Sequence, residues 1–230
     1  MENTEITIVV SSRSSKDEKT DFIKNIEDTC CVKYRLIFIT NNGNDLTKVY
    51  NNMFQMTSTD IVIFMHDDIE FLKYGWGEEV VRLFNDNQEY GIIGVAGSAE
   101  FDDKAAWWQY KKIYGQVIHK SEGKVWLSAF SPLLKKDLEE VCVIDGLFMA
   151  VHNKRIVKRF DNDLKGFHMY DIDFCLSNFL TNEVKIGVTT NIRIAHCSIG
   201  KLSNQWYENR DFINDKFKNN YPIKVLKKNE

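Results

Sequence analysis

Three polar clusters in the chain carry residue types suited to chemistry. The first closes an apolar run, where Asp60-Ile61-Val62-Ile63-Phe64-Met65 leads straight into His66-Asp67-Asp68. A run so rich in β-branched residues reads as a strand buried on both faces, as in parallel sheets. Two carboxylates and an imidazole at its end must emerge at the sheet's carboxyl edge, where open α/β sheets bind ligands. Adjacent carboxylates repel, and a divalent cation holds them together; a cation with few protein ligands keeps positions that diphosphate oxygens fill. An acidic turn that merely closes the strand is the simpler alternative. The second cluster, Tyr170-Asp171-Ile172-Asp173, falls at a helix start, where exposed amides favour carboxylates. Asp171 alone would be read as a helix cap. Asp173, two residues on, faces another way and would order the turn or meet a Lys or Arg. The third is His196, closing Ile194-Ala195 beside Ser198 and Gly200, either a satisfied buried histidine or a ligand.

The elements that must position these clusters follow from periodicity. Ile6–Val10 is a first strand, with Ser11-Ser12-Arg13-Ser14-Ser15 as the loop at its end. Phe22, Ile23 and Ile26 give helical spacing within 16–28, and Leu36–Ile39 is a second strand closing in the turn Thr40-Asn41-Asn42-Gly43. A helix over 45–56 leads back to the strand before His66. Strand–helix–strand–helix–strand predicts right-handed crossovers, a parallel sheet, and three polar strand ends gathered at one edge. Neither Gly-x-Gly-x-x-Gly nor Gly-Lys-Ser/Thr occurs, so a bound diphosphate would need metal in place of a glycine cradle. Beyond lie a helix over 76–84, a glycine-bounded strand over 91–97, and an aromatic stretch over 105–130 that reads as a hairpin outside the parallel core. Strands follow over 141–144 and 147–151, then a short helix capped by Asn153. Val184–Val188 and Asn191–His196 read as strands, Ser203–Lys218 as a helix, and 223–230 as a loosely ordered basic tail. One domain over 1–222 is expected.

Composition narrows the classes. A net charge of -3 in 230 residues leaves no basic footprint for nucleic acid. The N-terminal Met-Glu-Asn-Thr-Glu lacks the pattern of a leader, and no apolar stretch approaches membrane-spanning length. Five cysteines without zinc-ligand spacing read as reduced thiols of a cytoplasmic protein.

The motifs in order are His66-Asp67-Asp68, Gly94-Val95-Ala96-Gly97-Ser98, Trp107-Trp108, Ile144-Asp145-Gly146-Leu147-Phe148, Tyr170-Asp171-Ile172-Asp173 and Ile194-Ala195-His196-Cys197-Ser198. Together they resemble bacterial family 2 glycosyltransferases, in a short single-domain subgroup with a His-Asp-Asp version of Asp-x-Asp. The resemblance spans nearly the whole chain. It implies an α/β GT-A fold with a mainly parallel central sheet flanked by helices and an antiparallel excursion around 105–130. It implies Asp68 as metal ligand, His196 as a ligand or diphosphate contact, and Asp171 as catalytic base, with Tyr170 in the place of the family's glutamate. His66 would contact ribose or diphosphate, or shape the loop beside Asp67. Ser11, Arg13, Asn41 and Asn42 would hold the nucleoside.

The activity implied is metal-dependent, inverting transfer of a sugar from a nucleotide-diphosphate donor to a hydroxyl. UDP is the default nucleotide, with dTDP and GDP open, and Mn²⁺ or Mg²⁺ the metal. The acceptor would be a glycan or lipid-linked glycan in bacterial surface polysaccharide or glycoconjugate synthesis. Asp145-Gly146 is a strand-end turn or a contact to sugar hydroxyls, since glycine permits close backbone approach. One of Trp107 and Trp108 would line a sugar site, while Trp126 and Trp206 read as core. The basic tail, Lys224-Val225-Leu226-Lys227-Lys228, offers at most weak contact with an anionic membrane. The alternatives are a nucleotidyltransferase, which needs no base at Asp171, and a catalytically degenerate nucleotide-sugar-binding scaffold.

Overall fold

Two apolar strands lie at the centre of the molecule because their residues leave no polar face. β1 (Glu5–Ser12) is buried from Ile6 to Val10, and all five residues of β3 (Ile61–Met65) are buried. The computed structural model describes residues 4–130, 136–198 and 202–226. Between and after these strands come α1 (Thr20–Thr29), β2 (Lys33–Thr40), α2 (Leu46–Met56), β4 (Ile69–Phe71) and α3 (Trp76–Asp86). The middle of the chain forms β5 (Tyr90–Gly94), β6 (Ala96–Ser98), β7 (Glu100–Phe101), β8 (Ile113–Ser121) and β9 (Lys124–Ala129). The remainder forms β10 (Glu139–Val141), β11 (Val143–Ile144), β12 (Phe148–His152), α4 (Tyr170–Phe179), β13 (Lys185–Val188), β14 (Ile194–His196), α5 (Asn204–Phe217) and β15 (Ile223–Lys224).

A seven-stranded sheet runs β10-β13-β5-β12-β3-β1-β2. β2, β1 and β3 are parallel, as the two helical crossovers require. The sheet as a whole is mixed, because β12 enters antiparallel between β3 and β5 and β10 pairs antiparallel at the edge. A second sheet runs β11-β6-β8-β14-β4, with β9 added on β8 as the expected hairpin, turning at Glu122-Gly123.

Two apolar runs that read as single strands each serve both sheets. Residues 91–97 divide at Val95, and 141–144 divide at Cys142. Glycine makes the crossing possible: a Cβ on Gly94 would lie 2.8 Å from Ile144 Cδ1, and one on Gly97 would lie 2.2 Å from the Val143 carbonyl oxygen. No helix follows β12; Asn153–Arg155 form a turn. There Arg155 donates to the carbonyls of Phe84, Asn87 and Tyr90. Asn178 Oδ1 then accepts the amides of Val157 and Lys158, holding the chain extended. Ile223, expected in a loose tail, is buried and pairs with Phe101. Lys227 and Lys228 lie outside the described residues.

Candidate active site

β3 ends at Met65, and His66 leaves it with its amide donating to the Leu147 carbonyl at 3.0 Å. Three residues later β4 begins and pairs antiparallel with β14, matching Ile69 to His196. The Cys197 amide closes the ladder on the Asp68 carbonyl at 2.7 Å. That register brings His196 Nε2 to 3.3 Å and His66 Nδ1 to 3.8 Å from Asp68 Oδ1. One donor atom from each residue lies within 4.8 Å of the others. Asp68 Oδ1 is buried and accepts no well-formed hydrogen bond. An orphaned carboxylate oxygen between two imidazoles is costly unless something positive occupies the space. These three side chains therefore fit a divalent cation, and the nitrogen donors suit Mn²⁺ better than Mg²⁺, which prefers oxygen. Burial would raise the Asp68 carboxyl, but His196 and His66 together hold it below the usual carboxylate range. Burial likewise opposes charge on His196, and Asp68 outweighs it, so that this imidazole is raised. His66 goes the other way, lowered chiefly by burial.

Repulsion between the adjacent carboxylates is resolved by separation and not by a shared ion. Asp67 turns toward β1, where Ser12 Oγ donates to it and Lys19 Nζ lies 3.0 Å away. The expectation of a bridging cation thus narrows to Asp68 alone.

Asp171 opens α4. Its Oδ2 accepts the Gly146 amide at 2.7 Å and its Oδ1 the Ile172 amide at 2.9 Å. Desolvation, then the neighbouring Asp145 carboxylate, push its pKa up to about 7 against those two amides. Asp145 accepts the Leu147 amide at 2.9 Å, which is the strand-end turn, and its charge also acts on His66 and His196.

Tyr170 and Gly146 support each other in the interior. Tyr170 is only 4% exposed, sits edge-on to Tyr50, and donates to the Gly146 carbonyl at 2.9 Å. The same hydroxyl lies 3.3 Å from His66 Nε2, so Tyr170 props the histidine from behind. Gly146 provides room for that prop: a Cβ there would stand 2.3 Å from the Tyr170 hydroxyl. Asp173 is buried against Lys216 at 2.7 Å, the basic partner its spacing predicted.

At the carboxyl ends of β1 and β2, Asn41 Nδ2 donates to Ser11 Oγ at 3.1 Å, and Asn41 Oδ1 accepts the Asn44 amide. Asn42 is exposed beside them, and the Arg13 guanidinium lies over the Phe167 ring at 4.8 Å. Trp107 is 5% exposed and packs edge-on against Phe130, which removes it from any sugar site. Trp108 is 38% exposed, its ring 6.3 Å from Trp206 of the core. Trp126 is not core either: it is equally exposed and stacks on His119. Sequence reading missed Ser12, Lys19 and His119. Ser12 follows Ser11 at the strand end, whereas nothing in the sequence ties Lys19 to Asp67. Gly200 lies outside the described residues.

This fold recurs in solved glycosyltransferases. S. aureus TarS bound to UDP-GlcNAc superposes with a TM-score of 0.55 at 12% identity, over 94% of this chain and 67% of that one. A Drosophila beta-1,4-galactosyltransferase 7 mutant with manganese, UDP-Gal and xylobiose gives 0.52 at 13%, over 90% and 79%. GalNAc-T7 with UDP, GalNAc and Mn²⁺ gives 0.56 at 8%, over 92% and 47%. The fold is GT-A. No curated protein matches the sequence. Residues 6–221 match the model of a family described as glycosyltransferase-like, and the chain belongs to that family. It is a glycosyltransferase. No helix among the described residues is long and apolar enough to cross a membrane.

Proposed function

We propose that the chain is a metal-dependent, inverting glycosyltransferase that moves a sugar from a UDP-sugar to a hydroxyl on a glycan or lipid-linked glycan. The observation that carries this reading is the clustering of His66, Asp68 and His196, with the buried Asp68 Oδ1 in ion-pair range of His196 yet without a well-formed hydrogen bond. A divalent cation held there, with Mn²⁺ favoured, would act as Lewis acid and template for the leaving diphosphate. UDP is favoured because the similar structures hold UDP or UDP-sugars. Ser11, Arg13, Asn41 and Asn42 hold the nucleoside at the ends of β1 and β2, and Asp67 with Ser12 and Lys19 fixes the loop between nucleoside and diphosphate.

Asp171 is the base that removes the acceptor proton. A carboxyl raised to about 7 is matched to proton transfer near neutral pH. Its two amide bonds aim it, and Asp145 keeps it basic. Inversion follows from a single displacement with one base and no covalent intermediate. By resemblance to family 2 enzymes, the product belongs to bacterial surface polysaccharide or glycoconjugate synthesis, made on the cytoplasmic side.

The test is thermal stabilisation by UDP, GDP, dTDP and CDP, each with and without Mn²⁺, on wild type and Asp68→Ala. Nucleotide at about a hundred times its Kd stabilises by roughly 2.7 kcal/mol. UDP acting only with metal, and failing in Asp68→Ala, is the expected result. An unaltered shift in Asp68→Ala, or none with any nucleotide, would overturn the reading.

A further inference from the structure

We propose that His119 and Trp126 form the stacking floor of an acceptor-sugar subsite beside His196. The proposal rests on the reading above and extends it outward from the metal-ligating cluster. The register makes the floor: β14 pairs His196 with His119 of β8, and β8 pairs His119 with Trp126 of β9. Directly opposed residues share one face of a sheet, so the three rings form a row across three strands. His196 and His119 are 6.0 Å apart between ring centroids. His119 and Trp126 are 5.2 Å apart and 17° from parallel. The row runs from a partly buried histidine to a tryptophan at the surface, on the last strand of the sheet.

Its chemistry suits a sugar. A pyranose offers one face of C–H groups and a rim of hydroxyls, and an aromatic face with a polar edge meets both. Among the described residues, no ring besides His119 packs on Trp126, and neither the indole N–H nor an imidazole nitrogen of His119 is engaged in a hydrogen bond.

Position separates an acceptor from the donor's parts. The proposed nucleoside contacts lie at the ends of β1 and β2 in the first sheet, whereas β8 and β9 belong to the second. The donor sugar is joined to the diphosphate at the cluster and lies next to it. Trp126 stands one ring farther out than His119, where the second sugar must come.

The experiment uses the full chain with its five tryptophans replaced by 5-fluorotryptophan and each ¹⁹F resonance assigned by a single Trp→Phe substitution. Methyl glucoside, methyl galactoside and methyl N-acetylglucosaminide are titrated with and without UDP and Mn²⁺. The Trp126 resonance is expected to move saturably with at least one glycoside while buried Trp76 stays fixed. His119→Ala should weaken that glycoside about tenfold, one stacked contact's worth, and leave the UDP–Mn²⁺ thermal shift unchanged. A Trp126 resonance unmoved by every glycoside overturns the proposal. So does one that moves with UDP alone, which would make the row a nucleobase floor. A chain that fails to bind UDP breaks the functional reading instead, and the titration without UDP still decides the floor.

Discussion

Replacing Asp171 by Asn should make the protein more stable and nearly inactive at pH 8. The Asp171 carboxyl titrates near 7 in the fold, against 3.8 in an unperturbed chain. A raised carboxyl binds its proton more tightly when folded, so the folded state holds the extra proton between those two values. Stability therefore falls as pH rises from about 4 to about 7 and is flat above. Each pH unit in that window costs about 1.4 kcal/mol, so wild type loses about 3 kcal/mol between pH 5 and pH 8 through this group. Asn has no such dependence, although it keeps only one of the two amide bonds, a loss of about 1 kcal/mol. The stability difference between variant and wild type should thus move by about 3 kcal/mol in the variant's favour from pH 5 to pH 8. In a chain of this size that is on the order of 6–12 °C in Tm. Melting curves at both pH values measure it, with transfer to an acceptor assayed alongside. Transfer should fall by about 10²–10⁴ if the carboxylate is the base, while UDP–Mn²⁺ binding persists. A difference that does not change with pH would refute the raised carboxyl, and full-rate transfer would refute its role.

Other perturbations test the supports of the site. Gly146→Ala should cost about 1–3 kcal/mol by displacing the Tyr170 hydroxyl from its carbonyl and from His66; adding Tyr170→Phe should recover part of it in urea melts, and full stability of the single variant would contradict the packing. Lys216→Met leaves Asp173, 1% exposed, as an unpaired buried carboxylate. The loss should be about 3–5 kcal/mol, and adding Asp173→Asn should restore most of it. Asn178→Ala removes four bonds, to Val157, Lys158 and Phe174; it should lower stability by about 2–4 kcal/mol with little change in the Mn²⁺ dependence of UDP binding.

The donor half could be read from sequence because parallel strands buried on both faces are continuous apolar runs. β1 and β3 announce themselves that way, and their polar ends fix where His66, Asp68 and Ser11 emerge. Burial does not say which sheet a strand joins, so the passage of residues 91–97 and 141–144 between sheets was hidden; it turns on missing Cβ atoms at Gly94 and Gly97. Motif position also misled where a side chain points. Tyr170 stands beside Asp171 in the chain, yet its hydroxyl reaches inward to Gly146. Alternation along β9 does not reveal which face is covered, which is why Trp126 read as core; Trp107 and Trp108 fall in a short helical turn before β8 and not on a strand, so strand alternation could not sort them. The Lys19–Asp67 pair joins residues whose proximity exists only once β1 and β3 are neighbours.

The seam between the two sheets bears on how such an enzyme can diversify. The chain passes from the first sheet to the second at His66-Asp67-Asp68, at Val95, at Cys142 and between β13 and β14, and returns between these points. Recombination that exchanged one sheet for a relative's would have to splice every one of these crossings in register, including the one that carries Asp68. β9 crosses nothing and pairs only with β8. With the acceptor floor proposed at Trp126, point changes along that marginal strand are the easiest route to new acceptors.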